Sequence, residues 1–222
     1  MKYSKSSRFD FDGITARYDL INRLLSLCLD LGWRRQMAKH ISPGQKVLDL
    51  CAGTGDVARC LTKKTEDIIA CDISHEMCLK LKQKLPQVPA VTADALAIPF
   101  RDASFDAVVA AFGVRNFADL KQGFGEIRRI LKENGKLVVL EFTRPEKGLS
   151  GFLRKHYLSL VVGRLGGLLS GRPDAYQYLA SSIMGFMSVA EFETFLRDQG
   201  MRLVKTDRLS FNAATLFVSE KM

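Results

Sequence analysis

Apolar positions along this chain alternate between short continuous runs and longer stripes of helical spacing. The run KVLDL at 46–50 is unbroken, as expected of a strand buried on both faces of a sheet. A helical pattern over Val57–Lys64 follows, then a second strand in DIIACD ending at Asp72, then a helix over Met77–Leu85. PAVTAD predicts a short third strand ending at Asp94, and SFDAVVAAF a fourth. Leu120, Phe124, Ile127, Ile130 and Leu131 line one face of a helix that Asn134 and Gly135 are expected to stop. KLVVLEF is the fifth strand. SVAEFETFLRDQG opens on a capping box, Ser188 with Glu191, and stops at Gly200. RLVKTDRL and AATLFVSEK are two further strands with only a short connection between them.

Strands alternating with helices predict an α/β fold: a doubly wound, seven-stranded, mostly parallel, Rossmann-like sheet. A parallel crossover needs a dozen or more residues, so the last strand is expected to run antiparallel. Ahead of the sheet, Ile14, Tyr18, Ile21, Leu24, Leu25 and Cys28 recur at helical spacing, and LGWRRQMAKHI continues as a second helix. Residues 1–42 are therefore expected to form an N-terminal helical cap on a single domain spanning 1–222. The stretch Gly148–Gly171 is apolar, glycine-containing and basic through Arg154, Lys155 and Arg164, and 148–185 is expected to be a substrate-lid insertion. Gly123 and Gly125 lie inside a helix, cost about 1 kcal/mol each relative to Ala, and imply close packing.

Composition narrows the partners. Apolar residues make up 47% of the chain, enough for a substantial core. A formal charge of +9 and a pI near 9.4 point to an anionic partner, a nucleic acid or an acidic membrane surface, or to solubility alone. The five cysteines form no C-x-x-C pair, an odd count suits no disulfide framework, and buried thiols in a reducing cytosol are expected. No apolar segment follows Lys2, Lys5 and Arg8 as in a signal peptide, and no run of 18 apolar residues predicts a spanning helix. A cytoplasmic protein is expected.

The chemistry begins in VLDLCAGTGDVA. Gly53 and Gly55 let the backbone approach a ligand at a helix N-terminus, and Gly53-Thr54-Gly55-Asp56-Val57-Ala58 also fits the dinucleotide pattern G-x-G-x-x-A. Two carboxylates beside that loop, Asp49 and Asp56, would repel a pyrophosphate and suit a cation such as a sulfonium carrying an amino group. Asp72 ends the second strand, where a carboxylate can hold ribose hydroxyls. Asp94 follows the third strand, placed for an adenine edge. Together, Asp49, Asp72 and Asp94 mark the carboxyl edge of the sheet, where α/β folds bind their ligands.

LDLCAGTGD, CDIS, ADALAIPFRDASFDAV and LKENGKLVVLEF resemble the class I, S-adenosyl-L-methionine-dependent methyltransferases. FDGITARYDLINRLLSLCLDLGWR, FGVRNFADL, LEFTRPEKG and AYQYLASSI resemble, more narrowly, the ubiquinone/menaquinone biosynthesis C-methyltransferase family. That resemblance implies S-adenosyl-L-methionine as methyl donor and a polyprenylated quinol ring carbon as acceptor. It implies a demethylmenaquinol substrate, with the benzoquinol intermediate of ubiquinone biosynthesis or a non-catalytic subunit as alternatives. Cofactor contacts then fall on Asp49, Gly53, Thr54, Gly55, Asp72, Ile73, Asp94 and Ala95, and on Ala111, where the family often carries Ser. Arg115 would stabilise the developing oxyanion and Asn116 would position the ring oxygen. Tyr18, Asp19 and Asn22 would close the pocket, with Asp19 a candidate proton acceptor. His156 is a second candidate base. A tail insoluble in water implies a peripheral membrane partner, met through 148–171 on the inner face of the cell membrane, and a homodimer is an allowed assembly. No metal site is expected. The chain lacks an Asn/Asp-Pro-Pro-aromatic stretch after the fourth strand and a Pro-Cys nucleophile, and its basic residues lack aromatic interleaving, so nucleic acid is not the expected substrate.

Overall fold

The computed structural model describes Arg23, Ser26 and residues 28–146 and 173–222. Helix α1 (Leu29–Ala38) precedes strand β1 (Val47–Leu50), which turns through the glycine loop into α2 (Asp56–Leu61). Strand β2 (Ile68–Asp72), helix α3 (His75–Lys84), β3 (Ala90–Thr92) and β4 (Phe105–Ala111) follow. A 3-10 turn, Val114–Asn116, leads to α4 (Leu120–Ile130) and β5 (Leu131–Glu141). The second described stretch holds α5 (Pro173–Gly185), α6 (Val189–Asp198), β6 (Met201–Leu209) and β7 (Ala214–Lys221).

These strands form one seven-stranded sheet in the order β3-β2-β1-β4-β5-β7-β6. The chain winds outward from β1 through β2 to β3, then returns to the other side of β1 with β4. That reversal opens a crevice at the carboxyl ends of β1 and β4, in register as Leu50 beside Ala110. β7 is antiparallel to both β5 and β6, as expected of a last strand joined without a crossover. Period-two alternation divides the core between the two faces. Val47, Val109, Val138 and Leu140 pack on the α1 and α2 side; Leu48, Val108, Leu137 and Val139 pack with Phe124 of α4 and Phe192 of α6 on the other.

Three expectations need correction. The α4 helix stops at Ile130, before Asn134 and Gly135, because Leu131 already pairs with Phe105 of β4. The chain then turns through Asn134, at φ 58°, and pairing resumes at Lys136. Helix α5 is an additional element: Ala175, Leu179 and Ile183 recur at four-residue spacing, with Ala180 and Met184 beside them. Of the two helical glycines, Gly123 is explained by packing, since a Cβ there would lie 2.5 Å from Phe117 Cδ2, whereas nothing in the structure explains Gly125. The capping box forms as expected, with Ser188 Oγ accepting from Glu191 N and Glu191 returning the bond to Ser188 N. All five cysteines are free thiols; Cys71 and Cys78 are buried and Cys28 is exposed. Burial pushes the Cys71 thiol up to about 12, so it stays protonated as a small core group. Among the described residues no single helix is long and apolar enough to cross a membrane. The amphipathic stripe from Ile14 to Leu25, most of the 1–42 cap and the 148–171 segment lie outside the described residues.

Candidate functional site

Asp49 sits one residue before the end of β1, on the α1 and α2 face, with none of its surface exposed. Among the described residues neither carboxylate oxygen has a hydrogen-bond partner. Burial raises its pKa to about 7; the Ala58 amide in α2 opposes this without reaching hydrogen-bond geometry, and Asp72 adds a smaller upward push. A buried carboxylate without donors is an expensive arrangement, and a cationic ligand resolves it. The loop beyond it is shaped for close approach. Cys51, Gly53 and Gly55 all take positive φ, and Gly55 caps α2 at φ 90° where a side chain would strike Leu81. Thr54, within this loop, is buried.

Asp72, the last residue of β2, ties the loop to its neighbour. Its Oδ2 accepts from Gly53 N at 2.8 Å and its Oδ1 from Ser74 N at 2.9 Å. Ile73 follows with half of its surface exposed, an apolar face beside that carboxylate. Asp94 Oδ1 accepts from Leu96 N in a local turn after β3, and Ala95 is buried behind it. These three strand ends therefore deliver a carboxylate, an exposed apolar side chain and a small residue to one rim. Asp56 does not add to the negative charge as expected. It is paired with Arg23 at 3.0 Å and with Arg59 at 3.4 Å, so the acidity of the loop rests on Asp49 and Asp72.

The second half of the site grows from β4. After Ala111, which is half-buried, the chain bends at Phe112 and Gly113 into the 3-10 turn. A Cβ on Gly113 would lie 2.4 Å from the Cys51 Cβ, so this position must be glycine for the turn to rest on the cofactor-side loop. The side chain of Arg115 is only 7% exposed and is ion-paired. Its Nη1 donates to Glu141 Oε1 at 2.7 Å and to the Phe112 carbonyl at 2.5 Å, its backbone N–H reaches Glu141 Oε2 at 3.3 Å, and its Nε donates to Ser182 Oγ at 3.3 Å. Among the described residues Nη2 makes no hydrogen bond. Asn116 Oδ1 accepts from the hydroxyl of Tyr178 at 3.2 Å.

Glu141, Tyr178 and Ser182 were missed by the sequence reasoning. Glu141 is fully buried at the end of β5; burial raises its pKa and Arg115 opposes the rise. Its signal is in the sequence, a lone carboxylate ending an apolar run as Asp72 ends β2, but Phe142 follows and extends the apolar pattern past it. Tyr178 and Ser182, four apart on α5, present one face of that helix to the arginine-asparagine pair. Tyr18, Asp19, Asn22 and His156 lie outside the described residues. Among the described residues no cluster of His, Cys, Asp and Glu could hold a metal ion.

The family model of the ubiE/COQ5 methyltransferase family matches residues 2–221. A demethylmenaquinone methyltransferase of Thermus thermophilus is 39% identical over 220 residues, covering 95% of this chain and 99% of that protein. A ubiquinone/menaquinone biosynthesis C-methyltransferase UbiE of Geotalea uraniireducens is 40% identical over 222 residues, covering 95% and 94%. Among solved structures, a SAM-dependent methyltransferase from Aquifex aeolicus superposes with a TM-score of 0.64 at 17% identity, over 92% of this chain and 98% of that one.

Proposed function

The chain belongs to the ubiE/COQ5 methyltransferase family, and from that premise we propose that it transfers a methyl group from S-adenosylmethionine to a ring carbon of a polyprenylated quinol. Demethylmenaquinol is the proposed acceptor, after the relatives that carry that name, with the benzoquinol of ubiquinone synthesis as the second reading. The observation that carries the assignment is the contact of Gly113 with Cys51, which joins a cation-seeking carboxylate and a guanidinium on one rim.

The residues present fit the cofactor. Asp49 is a buried carboxylate without donors among the described residues, suited to a ligand bearing a cationic sulfur and an amino group. Asp72, Ile73, Asp94 and Ala95 are proposed to take its nucleoside end, and Gly53, Thr54 and Gly55 its approach to the backbone. S-adenosylmethionine supplies a methyl group already activated for transfer. What the protein must add is alignment and an electron-rich acceptor carbon.

A phenol-like hydroxyl has a pKa near 10, so ionising it at neutral pH costs about 4 kcal/mol. A guanidinium about 4 Å from the resulting oxygen offers about 4 kcal/mol at an effective dielectric of 20, before its counter-ion takes a share. Arg115 is proposed to supply that charge through Nη2 and Asn116 to orient the ring oxygen. Asp19 is the proposed acceptor of the hydroxyl proton, with Tyr18 and Asn22 closing the pocket.

We take 1–222 as one methyltransferase unit, with 1–42 as its cap and 148–185 as an acceptor-side insertion of which α5 is the described part. A cytoplasmic enzyme attached peripherally to a membrane is proposed, because a polyprenyl tail must be met in lipid. The basic, apolar 148–171 segment supports this, as does Phe211, fully exposed on the turn after β6. The deciding experiment follows S-adenosylhomocysteine release with a short-tailed demethylmenaquinol. Arg115→Ala is expected to lose turnover about a thousandfold while binding S-adenosylhomocysteine within about threefold of the native protein. Undiminished turnover in that variant refutes the role given to Arg115.

A further inference from the structure

The Arg115–Asn116 pair is held from two sides by groups that themselves make no part of the cofactor rim. From the sheet, the Glu141 carboxylate spans both the backbone N–H and the Nη1 of Arg115. From α5, Ser182 Oγ accepts a hydrogen bond from Nε of Arg115, and the Tyr178 hydroxyl donates to Asn116 Oδ1. Phe142 stacks beneath the guanidinium, whose carbon lies 5.8 Å from the ring centroid. Every hydrogen-bonding edge of the guanidinium except Nη2 is thereby committed. An arginine has several rotatable bonds, and fixing them before substrate arrives removes an entropy cost from the reacting complex.

We propose that Glu141, with Tyr178 and Ser182 of α5, are positioning residues that aim Nη2 of Arg115 and the Asn116 amide at the acceptor oxygen. This rests on the role given to Arg115 above. Glu141 acts by charge and geometry together: its two oxygens fix the base and one arm of the fork, leaving the other arm outward. The α5 pair acts by geometry alone and couples the acceptor-side insertion to the reacting groups.

Three variants test it, each assayed for turnover and for S-adenosylhomocysteine affinity by calorimetry. Glu141→Gln keeps size and the Oε1 acceptor while removing the charge. It is expected to lower kcat about a hundredfold, with cofactor affinity unchanged within about twofold. Arg115→Lys keeps the cation without the fork, and combining it with Glu141→Gln is expected to cost little beyond Arg115→Lys alone, because both act on one group. Tyr178→Phe with Ser182→Ala is expected to lower kcat about tenfold and leave affinity intact. Native kcat in Glu141→Gln, or losses that multiply in the combined variant, overturns the inference for Glu141. Should Glu141→Gln not fold, native kcat in the α5 variant overturns it instead. Failure here is distinct from failure of the Arg115 role, since Arg115→Ala would still abolish turnover.

Discussion

Asp49 should release a proton when the cofactor product binds. It is fully buried, has no hydrogen-bond donor, and carries a pKa of about 7 in the free protein. At pH 7 it is therefore about half protonated, at pH 6 about nine-tenths, and at pH 8.5 almost fully ionised. A cation placed beside a carboxylate lowers its pKa by about one to three units, which brings Asp49 to about 5 in the complex. Binding should then release about 0.5 proton at pH 7, about 0.8 at pH 6, and close to none at pH 8.5. Affinity should fall as the pH drops, by about fiftyfold from pH 8.5 to pH 5 and toward the full hundredfold of a two-unit shift only below that. Titration calorimetry of S-adenosylhomocysteine, run in buffers of different ionisation enthalpy, reads both quantities. Asp49→Asn should abolish the proton release and flatten the affinity profile. A native protein that binds without releasing a proton at pH 6, or an Asn variant that releases the same number, refutes the assignment of the ligand's cation to Asp49.

Further outcomes follow from the same geometry. Because its folded pKa lies above its unfolded value, Asp49 favours folding below pH 4 and that advantage is lost as pH rises toward 7, a change of about 4 kcal/mol; chemical denaturation of Asp49→Asn should show a flatter stability profile over that range. Ile73→Ala removes a half-exposed side chain, so melting temperature should hold while S-adenosylhomocysteine affinity falls about tenfold in calorimetry. Gly113→Ala places a methyl group 2.4 Å from the Cys51 Cβ, so it should destabilise the fold by about 1–3 kcal/mol in urea unfolding and weaken cofactor and acceptor use together.

The cofactor half of the site was legible because its information is local. An Asp at or near the end of an apolar run announces both a strand and the edge where the strand stops, and Asp49, Asp72 and Asp94 each lie within two residues of such an end. The α4 boundary was not legible, since Leu131 leaves the helix to pair with Phe105, a partner distant in the sequence. Asp56 looked like a loop charge because its partner, Arg23, lies far back in the chain. Arg115 was singled out, but its pairing with Glu141 depends on β4 and β5 lying side by side. Helix α5 carries a short apolar stripe, Ala175, Leu179 and Ile183, but the partners of its polar face, Arg115 and Asn116, lie far back in the chain, so that face could be found only in three dimensions.

Strand β7 descends where its neighbours climb, so it meets β5 with Glu220 beside Lys136 and is finished at Lys221, behind the reacting edge. A surface tether attached after Met222 would consequently grip the molecule by its back and leave the mouth of the enzyme turned outward, toward a supported lipid layer laid against it.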